Sequence, residues 1–340
     1  MPTAPPVRVR RVRPGEGATL RRLRLAALAD APGAFASTWA QEAAIPAAEW
    51  ERQAAARAAG DREATFVAVD GDGEPVGLAG GFRAAAAPGE VHLVSMWVAP
   101  VARGRGAGRA LVDAVVGWAA ATGAAEVALW VVLANAGAER LYRAAGFRPS
   151  GHRQPLPSDA TLLEQRLVRR LRAPEVTVRP AVPGDEAAVA DVHVRSWQVG
   201  YRGLLDDAFL DGLRPEQRAA RYRFGGGPDD PATLLAVDAG RVLGFATTGP
   251  GELLGLYADP TVWGWGVGRR LVAAARAALA SAGWRRAGLW VLAGNTRAER
   301  FYRADGWAPD DARRTETVLG VTLDERRYQR PLQRGEAATG

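Results

Sequence analysis

The stretch Val91-His-Leu-Val-Ser-Met-Trp-Val-Ala-Pro100, continued by Val101-Ala-Arg-Gly-Arg-Gly-Ala-Gly-Arg-Ala-Leu-Val112, decides how this chain is read. It begins as an apolar strand, turns at Pro100, and passes through Arg103-Gly-Arg-Gly-Ala-Gly108 into an alanine-rich amphipathic helix. Strand, glycine loop and helix start in that order make an anion site. The glycines let a ligand approach the backbone, and N–H groups point outward at the positive end of the helix dipole. With 40 glycines in 340 residues one such loop carries little weight, because a surface loop reads the same way. Its recurrence 160 residues later carries much more.

At that offset Pro100 matches Pro260, and Gly104, Gly106 and Gly108 match Gly264, Gly266 and Gly268. Trp130, Asn135, Tyr142 and Gly146 likewise match Trp290, Asn295, Tyr302 and Gly306. A period this long implies two copies of a complete domain rather than a solenoid unit. The boundaries are read as 1–172 and 176–334, with a linker at 173–175 and a tail at 335–340. In the first copy, residues 7–12 alternate as a strand, and Leu20, Leu23, Leu25 and Leu28 mark a helix. A second helix fits about 47–59, and a hairpin joins 65–69 to 76–82. The glycine loop opens a helix to about Ala121; residues 127–133 form a buried strand, and 135–145 a helix closed by Gly146. A last hairpin ends near Leu171, and the order begins again at Val176.

The composition narrows the function classes. Hydrophobic residues are 48% and charged residues 24%, a globular balance. Charged residues interrupt every alanine-rich run before it reaches the length of a membrane span, and residues 1–8 lack the apolar core of a signal peptide. A cytoplasmic protein without a membrane partner is the expectation. The absence of cysteine rules out a thiol nucleophile, a disulfide framework and thiolate metal ligands. His152 and His193 are isolated, so no metal site is expected. All 44 basic residues are arginine, giving a formal charge of +7, and the chain has no lysine of its own to acetylate. That excess favours a polyanionic ligand, but no basic cluster is interleaved with aromatics, and nucleic acid is not the expected partner.

Each half resembles the GNAT superfamily of acyl-CoA-dependent N-acyltransferases over nearly its full length. The resemblance rests on strand-Pro-(Arg/Gln)-x-x-Gly-x-Gly-helix, on a strand ending near Asn, and on Asn-x-x-Ala-x-x-x-Tyr-x-x-x-Gly-aromatic. Asn135, Ala138, Tyr142, Gly146 and Phe147 fit the last, as do Asn295, Ala298, Tyr302, Gly306 and Trp307. The implied fold is α/β (α+β). It comprises two tandem acyl-CoA N-acyltransferase folds, each a mixed, mostly antiparallel central sheet with helices on both faces and a splayed parallel strand pair. The implied co-substrate is acetyl-CoA, with no metal.

On that resemblance the pyrophosphate rests on the N–H groups of Arg103, Gly104, Arg105, Gly106, Ala107 and Gly108. The pantetheine arm adds like a strand in the gap between strands ending near Val98 and Leu133. Trp97 and Val98 meet the acyl end, and Asn135 lies beyond. The second set is Tyr257, Ala258, Trp263, Gly264, Trp265, Gly266, Val267, Gly268 and Asn295. Trp263 stands where the first copy has Arg103, which removes a positive charge near the phosphates and makes the first loop the better coenzyme site. Tyr142 and Tyr302 take the place of the general acid that protonates the departing thiolate. Trp130 and Trp290 occupy one usual place of the base. His92 and Glu252, each eight residues before the proline, are the remaining base candidates. Glu90 faces the same side as His92 by strand alternation. Asp30 to Phe35, Trp39, Trp197 and Tyr201 to Gly203 belong to segments that recognise acceptors in this fold, and are read here as core packing.

The expected activity is acetyl transfer from acetyl-CoA to a primary amine of a small molecule or peptide, by direct attack in a ternary complex. Two alternatives stand beside it. One is a CoA-binding sensor or scaffold with one or both copies degenerate. The other is a tandem acetyltransferase resembling those that make an actinobacterial thiol such as mycothiol. Two copies in one chain also suggest a pseudo-dimeric monomer.

Overall fold

The computed structural model describes residues 7–85, 87, 89–225, 231–318 and 320–333. Expectations for the first six residues and for the tail at 335–340 lie outside these. The chain divides into two units, Met1–Arg172 and Ala173–Gly340.

In the first unit β1 (Arg8–Arg11) leads to α1 (Gly17–Asp30), α2 (Trp39–Ala43) and α3 (Ala47–Ala59). Then come β2 (Glu63–Val69), β3 (Pro75–Arg83), β4 (Glu90–Val98), α4 (Ala107–Ala121), β5 (Glu126–Val132), α5 (Ala136–Ala144), β6 (Arg148–Leu156) and β7 (Asp159–Arg170). The seven-stranded sheet has the order β1-β2-β3-β4-β5-β7-β6. Its pairs are antiparallel except β4 with β5. One hydrophobic cluster joins α1 and α3 to the sheet through Leu20, Leu23, Leu28, Trp50, Val67, Leu78 and Trp97. The other joins α4 to it through Leu111, Val112, Val115, Val91, Leu93, Val127 and Leu129. Each fully buried aliphatic side chain contributes about 1.5–3 kcal/mol, which fixes the strand faces and hence the register. The leucine pattern of α1 needs one correction. Leu20, Leu23, Ala27 and Leu28 are buried, but the remaining inward position belongs to Arg24, with Leu25 only half-buried.

The second unit repeats the order with β8 (Thr177–Pro180), α6 (Glu186–Gly200), α7 (Asp207–Gly212) and α8 (Pro215–Ala219). It continues through β9 (Ala232–Asp238), β10 (Arg241–Gly249), β11 (Glu252–Ala258), α9 (Val267–Ser281), β12 (Arg286–Leu292), α10 (Thr296–Ala304), β13 (Ala308–Val318) and β14 (Val321–Pro331). Its sheet runs β13-β14-β12-β11-β10-β9-β8, and again only the central pair, β11 with β12, is parallel.

Those parallel pairs part almost at once. β4 and β5 are matched only from Glu90↔Glu126 to His92↔Ala128, although the strands run on to Val98 and Val132. β11 and β12 share the single match Glu252↔Gly288 before diverging. A bulge on each outgoing strand turns it away from its partner. On β4 the register against β3 slips between Leu78 and Gly80, opposite Ser95, whose φ is +54°. On β11 the slip lies between Thr247 and Thr248 of β10. Main-chain groups along the gap are left for a ligand to pair.

Candidate active site

The glycine loops sit at the open end of each gap. Gly106 and Gly266 precede α4 and α9 at φ +81° and +84°, a left-handed conformation that favours glycine. Neither helix start is capped by a side chain. The N–H groups of the first turn are therefore left for an anion. Ala107 and Val267 are buried and pin the helix starts to their cores, while Arg105 and Trp265 stand exposed on the loops.

Arg103 does not serve as a free positive charge. Its guanidinium is ion-paired with Asp30 and donates from Nε to the Val98 carbonyl at 2.9 Å. In the second unit Trp263 donates its Nε1–H to the Ala258 carbonyl at 2.7 Å. Val98 and Ala258 are the same position, so the substitution keeps the hydrogen bond that ties loop to strand end. Arg297, where the first unit has Gly137, lies over the Trp263 ring at 3.0 Å from its centroid. The cation lost from the loop thus returns from α10. A count of charges on the loop alone therefore does not separate the two sites. The Trp97 side chain is also otherwise engaged: it is buried against α1 and donates to Asp30 at 2.9 Å, leaving only its main chain for a ligand.

In the second unit a cavity of about 480 Å³ extends along the gap between β11 and β12. Tyr257, Ala258, Trp263, Gly264, Gly266, Val267, Gly268 and Asn295, all expected at the coenzyme site, line it, and Trp265 does not. Tyr302 lines it too, packed edge-on to Phe301 and Trp307. Burial raises the Tyr302 hydroxyl far above the ordinary tyrosine range, so it stays protonated as a donor. Tyr142 is raised by burial in the same way, packed against Phe147 in the core of its unit. Asn135 and Asn295 each cap their helix by accepting from the N–H three residues on, at 3.0 and 3.1 Å.

Three further cavity residues were not on the expected coenzyme or catalytic roster. Tyr201, expected as core, lines the cavity near Tyr257. Glu325 of β14 and Arg314 of β13 form an ion pair of 2.7 Å, and both reach the cavity. Arg314 also stacks on Trp290, 4.5 Å from its centroid. In the sequence Glu325-Arg-Arg-Tyr-Gln-Arg330 echoes Glu164-Gln-Arg-Leu-Val-Arg169 at the end of the first copy. Glu252 begins β11 within the field of these groups. Burial raises its carboxyl above the ordinary range; Arg314 opposes that, while Glu316 and Glu325 add to it.

In the first unit His92 Nε2 lies 2.8 Å from Glu90, and its ring stacks on Phe82. Burial works against the Glu90 carboxylate, but hydrogen bonds to His92 and Arg166 outweigh it and hold the group down at about 2. His152 bonds Ser150 at 3.1 Å, and His193 is buried among aromatic rings. Among the described residues no group of potential metal ligands is found, and no helix is long and apolar enough to cross a membrane.

The acetyltransferase (GNAT) family matches residues 27–147 and again 197–307. A mycothiol acetyltransferase from Saccharopolyspora erythraea is 32% identical over 258 residues, covering 70% of this chain and 80% of that protein. Among solved structures, a GCN5-related N-acetyltransferase from Kribbella flavida is 26% identical, with a TM-score of 0.41, over 48% of this chain and 98% of its own. PaiA N-acetyltransferase from Thermoplasma acidophilum, in complex with coenzyme A, is 20% identical over 45% of this chain and 99% of its own, with a TM-score of 0.37.

Proposed function

The chain belongs to the GNAT family of acetyltransferases, as a tandem pair, and we propose that its second unit moves an acetyl group from acetyl-CoA to a primary amine. The cavity along the parted β11 and β12 carries this reading, because the uncapped helix start, Tyr302 and Glu325 all line it, while Glu252 stands just outside, next to the lining residue Leu253. The N–H groups of Gly264 to Gly268 take the pyrophosphate, and the freed edges of the two strands pair with the pantetheine amides. A main-chain N–H near Tyr257 or Ala258 polarises the thioester carbonyl. Glu252, directly or through a water beside Glu325, removes a proton from the attacking amine. Tyr302 gives its proton to the departing thiolate, and the amide bond forms as the thioester breaks.

The acceptor is proposed to be a small-molecule amine resembling that used by the mycothiol acetyltransferase relative, since the likeness to it spans 258 residues. The first unit is proposed to bind coenzyme A through its own uncapped loop and to contribute little turnover. Thiol release from acetyl-CoA on adding a panel of small amines and peptides tests the proposal; the chain has no cysteine to add background. Turnover with an amine supports it. Tight acetyl-CoA binding with no release for any amine would make the chain a coenzyme sensor instead.

A further inference from the structure

The first unit holds a second, partly open cavity, of about 160 Å³, walled by α1, α2, α3 and the β2–β3–β4 surface. No residue of β5 lines it, so it is separate from the gap where the coenzyme is proposed to lie. We propose that this cavity binds a short aliphatic carboxylate, held by Arg24 and Trp50.

Both residues line the cavity, with relative exposures of only 9% and 3%. Arg24 Nη1 and Trp50 Nε1 are each buried without a hydrogen-bond partner. Buried donors are nearly always satisfied, and two unsatisfied ones on residues that line one cavity call for an acceptor between them. The rest of Arg24 is fixed: Nε and Nη2 both reach Glu42 at 3.2 Å, and Nη2 donates to Ser37 at 2.7 Å. The guanidinium is thus held with one nitrogen unused.

Two donors suit the two oxygens of a carboxylate. Charge limits the ligand to a monoanion. Arg24 and Arg57 are already offset by Glu42 and Glu63, the latter 3.0 Å from Arg57. The two arginines nonetheless bear on each other: burial chiefly, then Arg57, pushes the Arg24 pKa down against the pull of Glu42. With both arginines already offset, a carboxylate adds one negative charge beside the Arg24 and Arg57 guanidiniums, whereas a phosphate dianion adds two and costs more to desolvate. Leu20 and Leu78 supply an apolar wall for a short chain. A cavity of roughly 150 Å³ accommodates a ligand the size of benzene, which limits the carboxylate to about six to eight heavy atoms. The feature belongs to the first unit. In the second, the inward position of α6 is His193, packed among Trp197, Tyr222, Phe245 and Tyr257.

The test is titration of the full-length chain with acetate, propionate and butyrate, and separately with inorganic phosphate. Binding is followed by the indole N–H resonance of Trp50 in a nitrogen–proton correlation spectrum, assigned with Trp50→Phe. Propionate and butyrate are expected to move that resonance saturably, with dissociation constants of about 0.1–10 mM. The affinity is expected to be the same with and without acetyl-CoA. Trp50→Phe keeps the packing and Arg24→Lys keeps the charge; each should weaken propionate binding about tenfold or more by calorimetry. No movement with any carboxylate at about 50 mM would show a cavity that holds only water. Movement with phosphate alone, or undiminished propionate binding in both variants, would equally overturn the proposal.

Discussion

Replacing Trp263 tests how the second loop is held. Trp263→Ala removes a hydrogen bond of 2.7 Å to the Ala258 carbonyl and the ring beneath Arg297. A hydrogen bond contributes about 0.5–1.5 kcal/mol and a cation–π contact about 0.5–2 kcal/mol. If both act by holding the loop in its binding geometry, acetyl-CoA affinity at the second site falls by about 1–3 kcal/mol, or roughly 5- to 150-fold. Trp263→Arg restores the residue of the first unit, but there Arg103 is neutralised by Asp30, and Gly137 stands at the position of Arg297. Beside Arg297 the new guanidinium meets a like charge, so Trp263→Arg alone should also weaken binding. The pair Trp263→Arg with Arg297→Gly removes that like charge and should bind better than the sum of the single effects. Calorimetric titration of the four proteins with acetyl-CoA gives the coupling. Unchanged affinity in Trp263→Ala, or strictly additive effects across the cycle, would refute this account of the loop.

Asp259, fully buried, pairs with Arg195 at 2.8 Å and accepts from Thr261 at 2.8 Å, while the first unit has Ala99 in its place. Asp259→Ala leaves Arg195 buried without that partner, at a cost of about 3–5 kcal/mol. Unfolding of the second unit should then shift down by on the order of 10 °C in calorimetry while the first unit's transition holds; two unmoved transitions would contradict this. Glu90 titrates near 2 in the folded unit against an ordinary 4.5. Its stabilising contribution is complete above the unfolded value and is lost as pH falls toward 2. Acid unfolding of the first unit should therefore begin at higher pH in wild type than in Glu90→Gln relative to its own neutral-pH stability, and parallel acid profiles would count against it. For Glu252 the pKa is raised, so its base form fills only above the ordinary carboxylate range. The acid limb of kcat/KM should lie correspondingly high, and Glu252→Gln should remove it with a loss of about 10²–10⁴; an unaltered limb would assign the base elsewhere.

Much of the fold was legible because its signals are local. The glycine loops, the Asn cap and the Gly that ends α5 and α10 each obey chemistry within a few residues. The 160-residue offset then carried the glycine loop, the helix behind it, the buried strand and the Asn-capped helix from one copy to the other, although the earlier strands and helices are displaced by other amounts. What could not be read depended on partners far away in sequence. Nothing near Arg103 announces that Asp30 neutralises it, and nothing near Trp263 announces Arg297 above its ring. The charge count at one position therefore left out the partners that offset it in each copy. Arg24 shows the same limit in a helix, where an arginine on the buried stripe is tolerated only because Ser37 and Glu42 close over it. Glu325 echoes Glu164 in sequence, but its place at the cavity beside Arg314 depends on where β14 runs in the sheet.

The claim that the second unit performs the chemistry rests most directly on its tyrosine. Tyr302→Phe keeps the ring against Phe301 and Trp307 and removes only the hydroxyl, so coenzyme binding and stability should be little changed. Loss of a general acid costs about 10²–10⁴ in rate, or roughly 3–5 kcal/mol of barrier. Thiol release measured side by side in Tyr302→Phe and Tyr142→Phe should show that loss in the first and near wild-type turnover in the second. Full turnover in Tyr302→Phe, or the loss appearing in Tyr142→Phe instead, would contradict the assignment of catalysis to the second unit.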